Sequence, residues 1–179
     1  MLSPFRLRIE ADAARQDQVL TFVDEGGPDR EACLAVLVQW RDAEAQPVLE
    51  PAFNSFVADY REAGSIVSPG SCLEKLVQDL DAAAGSLPAE AVQGMEFAVA
   101  LCSGRGLYLL HTSGFDAECS LDDSAPQPLA SSLRVRVKDL SPGALRTRHL
   151  WSDTLVERLR LLRVFFEDED RASVDLWLR

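Results

Sequence analysis

Few side chains in this 179-residue sequence combine a reactive type with a useful spacing. Cys33, Cys72, Cys102 and Cys119 stand far apart, with no CxxC pair and no neighbouring pair of histidines, which disfavours a zinc site. Cys33 and Cys102 lie within apolar runs and read as small core residues in a reducing compartment. His111 and His149 have no Ser or Cys in a nucleophile-elbow context, so an acyl-transfer triad is unsupported. In LYLLHTS, His111 is expected to point off a strand into solvent or to satisfy a local hydrogen bond. Glu167, Asp168, Glu169 and Asp170 form a run that can attract a cation weakly, although such runs are usually wet surface. No pair of acids stands out for glycoside hydrolysis, and no glycine loop is shaped for phosphates or a dinucleotide. The sharpest feature is an omission. In CLAVLVQW (residues 33–40) a buried apolar run ends in Gln39 and Trp40, at a strand tip where many folds place a catalytic carboxylate.

Length allows one domain, residues 1–179, with a sizeable core. Eighteen basic against 29 acidic side chains give a net charge of −11, a field that repels nucleic-acid phosphates and anionic lipid. Nucleic acid and membrane are therefore excluded as expected partners, and a protein partner is expected. The late cluster LRVRVKDL alternates Arg134, Arg136 and Lys138 with Leu133, Val135 and Val137, the pattern of a strand with one wet face. No stretch has the build of a signal peptide or the ~20 apolar residues of a membrane span, so a cytoplasmic location is expected.

The elements that would position these residues follow from periodicity. FRLRIEA, QVLTFVD and CLAVLVQW read as strands. AEAQPVLEPAFNSFVADYREAG repeats Val48, Leu49, Phe53, Phe56, Val57 and Tyr60 at helical spacing, with Pro51 tolerable near the start and Gly64 as the stop. A capping box at Ser71 and Glu74 predicts the start of a second helix, CLEKLVQDLDAAAGSL. GMEFAVALCSGRGLYLLHTSGF reads as a hairpin turning at Ser103–Gly106. FDAECSLDDSAPQPLASS reads as largely loop, LRVRVKDL as a strand, TLVERLRLLRVFF as a strong helix, and SVDLWLR as a final strand. Grouped strands and paired helices, without strict β-α-β alternation, argue for an α+β fold with antiparallel sheet.

This order, with several local stretches, resembles the metal-dependent serine/threonine protein phosphatases of the 2C type, the PPM family. Arg15-Gln16-Asp17-Gln18 before a strand is similar to the family's R-x-x-N-E/Q-D-x, which makes Asp17 a metal-binding position. The family's phosphate-gripping arginine falls on Asp12, with Arg15 as the nearby substitute. LAVLVQW is similar to the strand ending V-x-D-G, whose Asp bridges two metals; Gln39 and Trp40 stand in those places. GMEFAVALCSGRGLYLLHTSGFDAE is similar to G-T-T-A-x-x-x-x-x-x-G-x-x-L-Y-x-A-x-x-G-D-S-R. It keeps Gly94, Gly106, Leu107, Tyr108 and Gly114, and puts Phe115-Asp116-Ala117 where the family has Asp-Ser-Arg. EDRASVDLWLR is similar to D-N-A-T-V-V-V, which aligns Asp170 with a metal-binding Asp. SPGALRTRHLWSD is faintly similar to P-G-D-x-L-L-L-x-S-D, offering Asp153 as another carboxylate; the spacing is two residues too long and the apolar strand is missing.

The resemblance implies a four-layer α-β-β-α sandwich, two antiparallel sheets flanked by helices, truncated relative to the family. Two-metal hydrolysis needs carboxylates around a pair of dications ~3.5–4 Å apart, and Mg²⁺ or Mn²⁺ prefers anionic oxygen. A neutral amide at the bridging position and an indole in place of glycine imply a dismantled site. The expectation is a pseudophosphatase: an inactive domain that binds a protein or phosphopeptide and has no cofactor, with Mg²⁺ or Mn²⁺ only if residual binding survives at Asp17, Asp153 and Asp170. The alternatives are a divergent Mg/Mn-dependent phosphohydrolase and a structural or assembly subunit.

Overall fold

A computed structural model describes residues 7–11, 18–25, 32–63, 69–103, 106–112, 115–122, 124–128, 145–150, 159–167 and 173–178. One sheet takes β1 (Leu7–Ala11), β10 (Ser173–Leu178), β9 (Leu159–Glu167), β6 (Asp116–Leu121) and β7 (Gln127–Pro128), in that order. The other takes β2 (Val19–Asp24), β3 (Ala32–Gln39), β4 (Glu96–Ser103), β5 (Gly106–Thr112) and β8 (Leu145–Leu150). Every pairing is antiparallel. Helices α1 (Gln46–Ala63) and α2 (Pro69–Ala84) and the short α3 (Ala89–Gln93) fill the interval between β3 and β4. The expected α+β class with two antiparallel sheets is the observed one.

Alternation along β3 explains why its sequence is apolar throughout. Leu34, Val36 and Val38 join Phe22, Phe97, Val99 and Leu101 on one face of the second sheet, and α1 and α2 cover that face with Leu49, Phe53, Phe56, Leu76, Val77 and Leu80. Each of these larger side chains contributes about 1.5–3 kcal/mol by leaving water. Cys33, Ala35, Leu37 and Gln39 occupy the opposite face and are also buried. Their cross-strand partners include Ala98 and Ala100, small residues that suit the close approach of the first sheet, whose β1 lies against β2 and β3. Between the helices, Lys75 bridges Asp79 at 2.9 Å and Asp59 at 3.0 Å. The hydrogen bonds that its ammonium donates to Asp79 and then to Asp59 raise the lysine above its usual range.

Several expectations are corrected. The helix expected over TLVERLRLLRVFF is overturned in its described part: Leu159–Glu167 is a strand, hydrogen-bonded between β10 and β6, and residues 154–158 lie outside the described residues. FDAECSLDDSAPQPL is not mainly loop, because Asp116–Leu121 and Gln127–Pro128 pair as strands around a turn in which Asp122 has φ of 52°. The strand said to be missing from SPGALRTRHLW is present as Leu145–Leu150, paired with β5. The helix expected to start at Ser71 starts two residues earlier: α2 begins at Pro69, a residue whose fixed φ suits a first helical turn. LRVRVKDL and Gly64 lie outside the described residues. The hairpin turn is as expected, with Ser103 opposite Gly106.

Candidate functional site

Strand register gathers the interesting positions at one end of the two sheets. Gln39 closes β3 there, opposite Val19 at the start of β2 and Glu96 at the start of β4. In the same sheet, Thr112 at the end of β5 faces Leu145 at the start of β8. In the other sheet, Ala11 faces Val174, Ser173 faces Glu167, and Asp116 faces Phe165. The chain passes between the sheets at this end, from Ala11 to Val19 and from Thr112 to Asp116.

Gln39 is 1% exposed. Its Oε1 is buried and accepts no hydrogen bond from the described residues. An amide oxygen without a partner in such a place costs about 1–3 kcal/mol. Trp40 is 2% exposed, and its backbone N–H donates to the Gln18 carbonyl at 3.1 Å, so β2 and β3 stay zipped to their ends. The indole belongs to the cluster beneath α1 and α2, with Ala45 and Leu49. Adjacent strand residues point to opposite faces, so the indole packs on the helical side of the sheet, away from the side chain of Gln39.

The next residues continue the closure. Asp42 caps a single 3₁₀ turn (Ala43–Ala45), its carboxylate accepting from the Glu44 N–H at 3.0 Å. Gly94 precedes β4 and runs so close to residue 41 that a Cβ there would lie 3.3 Å from Arg41 Cβ. That close approach, which only glycine makes freely, seats Glu96 beside the tip of β3. Phe115, where the similar motif has Asp, is 2% exposed and leads directly into β6.

Asp12, Arg15, Asp17, Asp153 and Asp170 lie outside the described residues. Their flanks are described. Ala11 and Gln18 bracket Asp12, Arg15 and Asp17, and Glu167 and Ser173 bracket Asp170; all four flanks stand at the Gln39 end. Leu150 and Leu159, which bracket Asp153, pair with Leu107 and Leu121 at the other end. Sequence reading missed Glu96, because nothing local marks it; only the register of β3 with β4 sets it opposite Gln39. Of the two placements expected for His111, the one toward solvent is corrected: it is buried at 1% exposure on the inner side of β5.

Among the described residues no three His, Cys, Asp or Glu side chains converge as metal ligands. The described donors at this end include the buried neutral oxygen of Gln39 and the half-buried carboxylate of Glu96, with Asp116 and Glu167 on the facing strand ends of the other sheet. At the tip of β3 itself the fit to a carboxylate-bridged pair of dications fails, since the neutral Gln39 oxygen cannot offset two doubly charged ions held close together. No described helix is long and apolar enough to cross a membrane.

No protein-family model matches the sequence, and no curated protein matches it. Solved structures do. A bacterial serine phosphatase carrying a point mutation is similar over 98% of both chains, at 10% identity and a TM-score of 0.61. The phosphatase domain of SpoIIE from Bacillus subtilis is similar over 98% of this chain and 92% of its own, at 6% identity and a TM-score of 0.49. The catalytic domain of the serine/threonine phosphatase PstP, in complex with two manganese ions, is similar over 97% of both chains, at 11% identity and a TM-score of 0.47. The first of these carries the assignment: the chain has the fold of the PPM-type, or 2C-type, serine/threonine phosphatases.

Proposed function

We propose that this chain is a phosphatase-like domain without two-metal catalysis, acting as a regulatory module that binds a protein partner. One observation carries the reading: the tip of β3 ends in a buried neutral amide, Gln39, where the similar motif has an Asp that bridges two metals. Phe115, buried where that family has Asp, supports it. Without anionic bridging, a water at this place is not driven to hydroxide near neutral pH, and the first step of hydrolysis is lost. Purified protein with Mn²⁺ is expected to hydrolyse neither an aryl phosphate nor a phosphopeptide above a blank. Turnover that disappears in Asp17→Ala would overturn the proposal.

One observation favours a second reading, a divergent phosphohydrolase that uses a single ion. The buried Gln39 oxygen has room for a further interaction in its valence, and Asp168, Glu169 and Asp170 directly follow a strand that ends on the same side as Gln39. On this reading the acidic position after β9 replaces Asp153, whose flanks stand at the other end. Calorimetric titration with Mn²⁺ separates the two: saturable binding lost in Asp170→Asn supports the enzyme, and a flat titration supports the binding module.

A further inference from the structure

We infer that the outer edge of β2 pairs with the same edge of a second copy of this chain, joining two sheets into one across a two-fold axis at Thr21. The inference goes beyond the proposed function and does not depend on the state of the Gln39 end. β2 (Val19–Asp24) is the first strand of its sheet, and among the described residues no strand pairs with its other side. The Trp40 N–H donates to the Gln18 carbonyl, which sets the alternation of the β2–β3 ladder. Leu20, Phe22 and Asp24 therefore bond inward to β3, and the N–H and C=O groups of Val19, Thr21 and Val23 point off the edge. Thr21 and Val23 are exposed, and Val23, at 37%, is the large apolar side chain that the described surface leaves bare. Edge strands are ordinarily blunted by lysine, proline or a bulge. VLTFVD has none of the three, and its register with β3 is unbroken.

What this edge accepts follows from its own sequence. With two copies antiparallel about Thr21, Val19 lies opposite Val23, Leu20 opposite Phe22, and Thr21 opposite its own counterpart. The outward pairs, Val19 with Val23 and Thr21 with Thr21, each exchange two hydrogen bonds. Apolar meets apolar and threonine meets threonine, combinations that stabilise antiparallel neighbours. Asp24 falls opposite Gln18, a neutral amide, and the two Asp24 residues stand at opposite ends of the ladder. Sliding one copy by two residues would set Asp24 against Leu20, and sliding it the other way would carry Val23 past the start of the other copy's β2. The strand is thus its own complement in one register. On the helical face Phe22 is 9% exposed and Leu20 half-buried, bordered by Tyr60 and by Arg61, whose guanidinium lies 5.3 Å above the Phe22 ring. A second Leu20 and Phe22 laid alongside completes their burial. Each copy carries −11, so association is apolar and backbone in origin and strengthens as salt screens the repulsion. A six-residue edge is small for an interface, which makes the dimer weak and reversible.

Sedimentation velocity on the full chain, from micromolar to near-millimolar concentration, tests the pairing. The 19.7 kDa chain should shift toward twice that mass as concentration rises, and more so in high salt than in low. Thr21→Pro removes an N–H that points off the edge, and Val23→Lys puts a charge on it; both should stay monomeric with an unchanged far-UV circular dichroism spectrum. If Thr21→Pro does not fold, Val23→Lys decides alone. The axis is tested by oxidation with copper-phenanthroline. Thr21→Cys should form a disulfide-linked dimer, because opposed Cα atoms about 5.5 Å apart are within disulfide reach. Val23→Cys should not, because its counterpart lies roughly 13 Å away along the ladder. A mass that stays constant over the whole range would overturn the inference, even if another protein's strand bound the edge. So would a dimer that persists in Val23→Lys, or equal cross-linking at positions 21 and 23.

Discussion

Replacing Trp40 by alanine is the perturbation whose size the structure sets most clearly. The indole is 2% exposed and sits in the cluster that joins β3 to α1 and α2, beside Ala45 and Leu49. A tryptophan buries about 150–250 Å², worth roughly 4–6 kcal/mol at 25 cal/mol per Å². Measured truncations of buried aromatic residues cost about 3–5 kcal/mol, and we adopt that range because the surroundings partly collapse. A domain of this size has on the order of 5–15 kcal/mol in total, so the variant should stand near the edge of folding. At about 2–4 °C per kcal/mol, its melting temperature should fall by roughly 6–20 °C. Urea unfolding followed by far-UV circular dichroism gives the midpoint, and an aryl-phosphate assay with Mn²⁺ on the folded fraction should remain at blank. A variant as stable as the parent would refute the packing of residue 40 on the helical side. A stable variant that hydrolysed the phosphate would refute the loss of the centre at residue 39, because it would mean that an intact site had only been blocked.

Phe115→Ala should cost about 3–5 kcal/mol for the same reason and create no activity; chemical unfolding of the purified variant checks both points. Cys72 is buried on α2, and burial pushes its thiol up to about 11 from 9.0. A neutral thiolate-poor site at pH 8 should react with a disulfide reagent only on unfolding, as time courses with and without urea will show. Because the folded value is the higher one, the contribution of Cys72 to stability should be intact below pH 9.0 and decline as pH rises toward 11, a decline that Cys72→Ala removes.

Local patterns were readable where one residue type dominated the environment. The unbroken run in β3, the stripe of Leu49, Phe53 and Phe56 on α1, and the two-residue turn after Ser103 each point to a single structure. The region of β9 does not. Leu, Arg and Glu favour helices when considered alone, and Val164 is the only β-branched residue in LRLLRVFFE. Pairing with β10 on one side and β6 on the other overrides that preference. Strand β8 was obscured by the charges in LRTRHL, and β6 by the small and acidic residues of DAECSL. Both depend on ladder partners far away in sequence. The candidate site divides in the same way. Gln39 was visible because it ends an apolar run, while Glu96 became visible only through register, and the face on which Trp40 packs followed from alternation that the sequence reading did not apply.

The central proposal is that this chain, which has the fold of the PPM-type phosphatases, carries a neutral amide, Gln39, where the similar motif has its bridging carboxylate. Crystals soaked in MnCl₂ and measured at the manganese edge test it most directly, with the anomalous map inspected around Gln39, Asp17 and Asp170. The prediction is that no pair of peaks is found beside residue 39. Two manganese ions about 3.5–4 Å apart, with the Gln39 side chain at their midpoint, would contradict it.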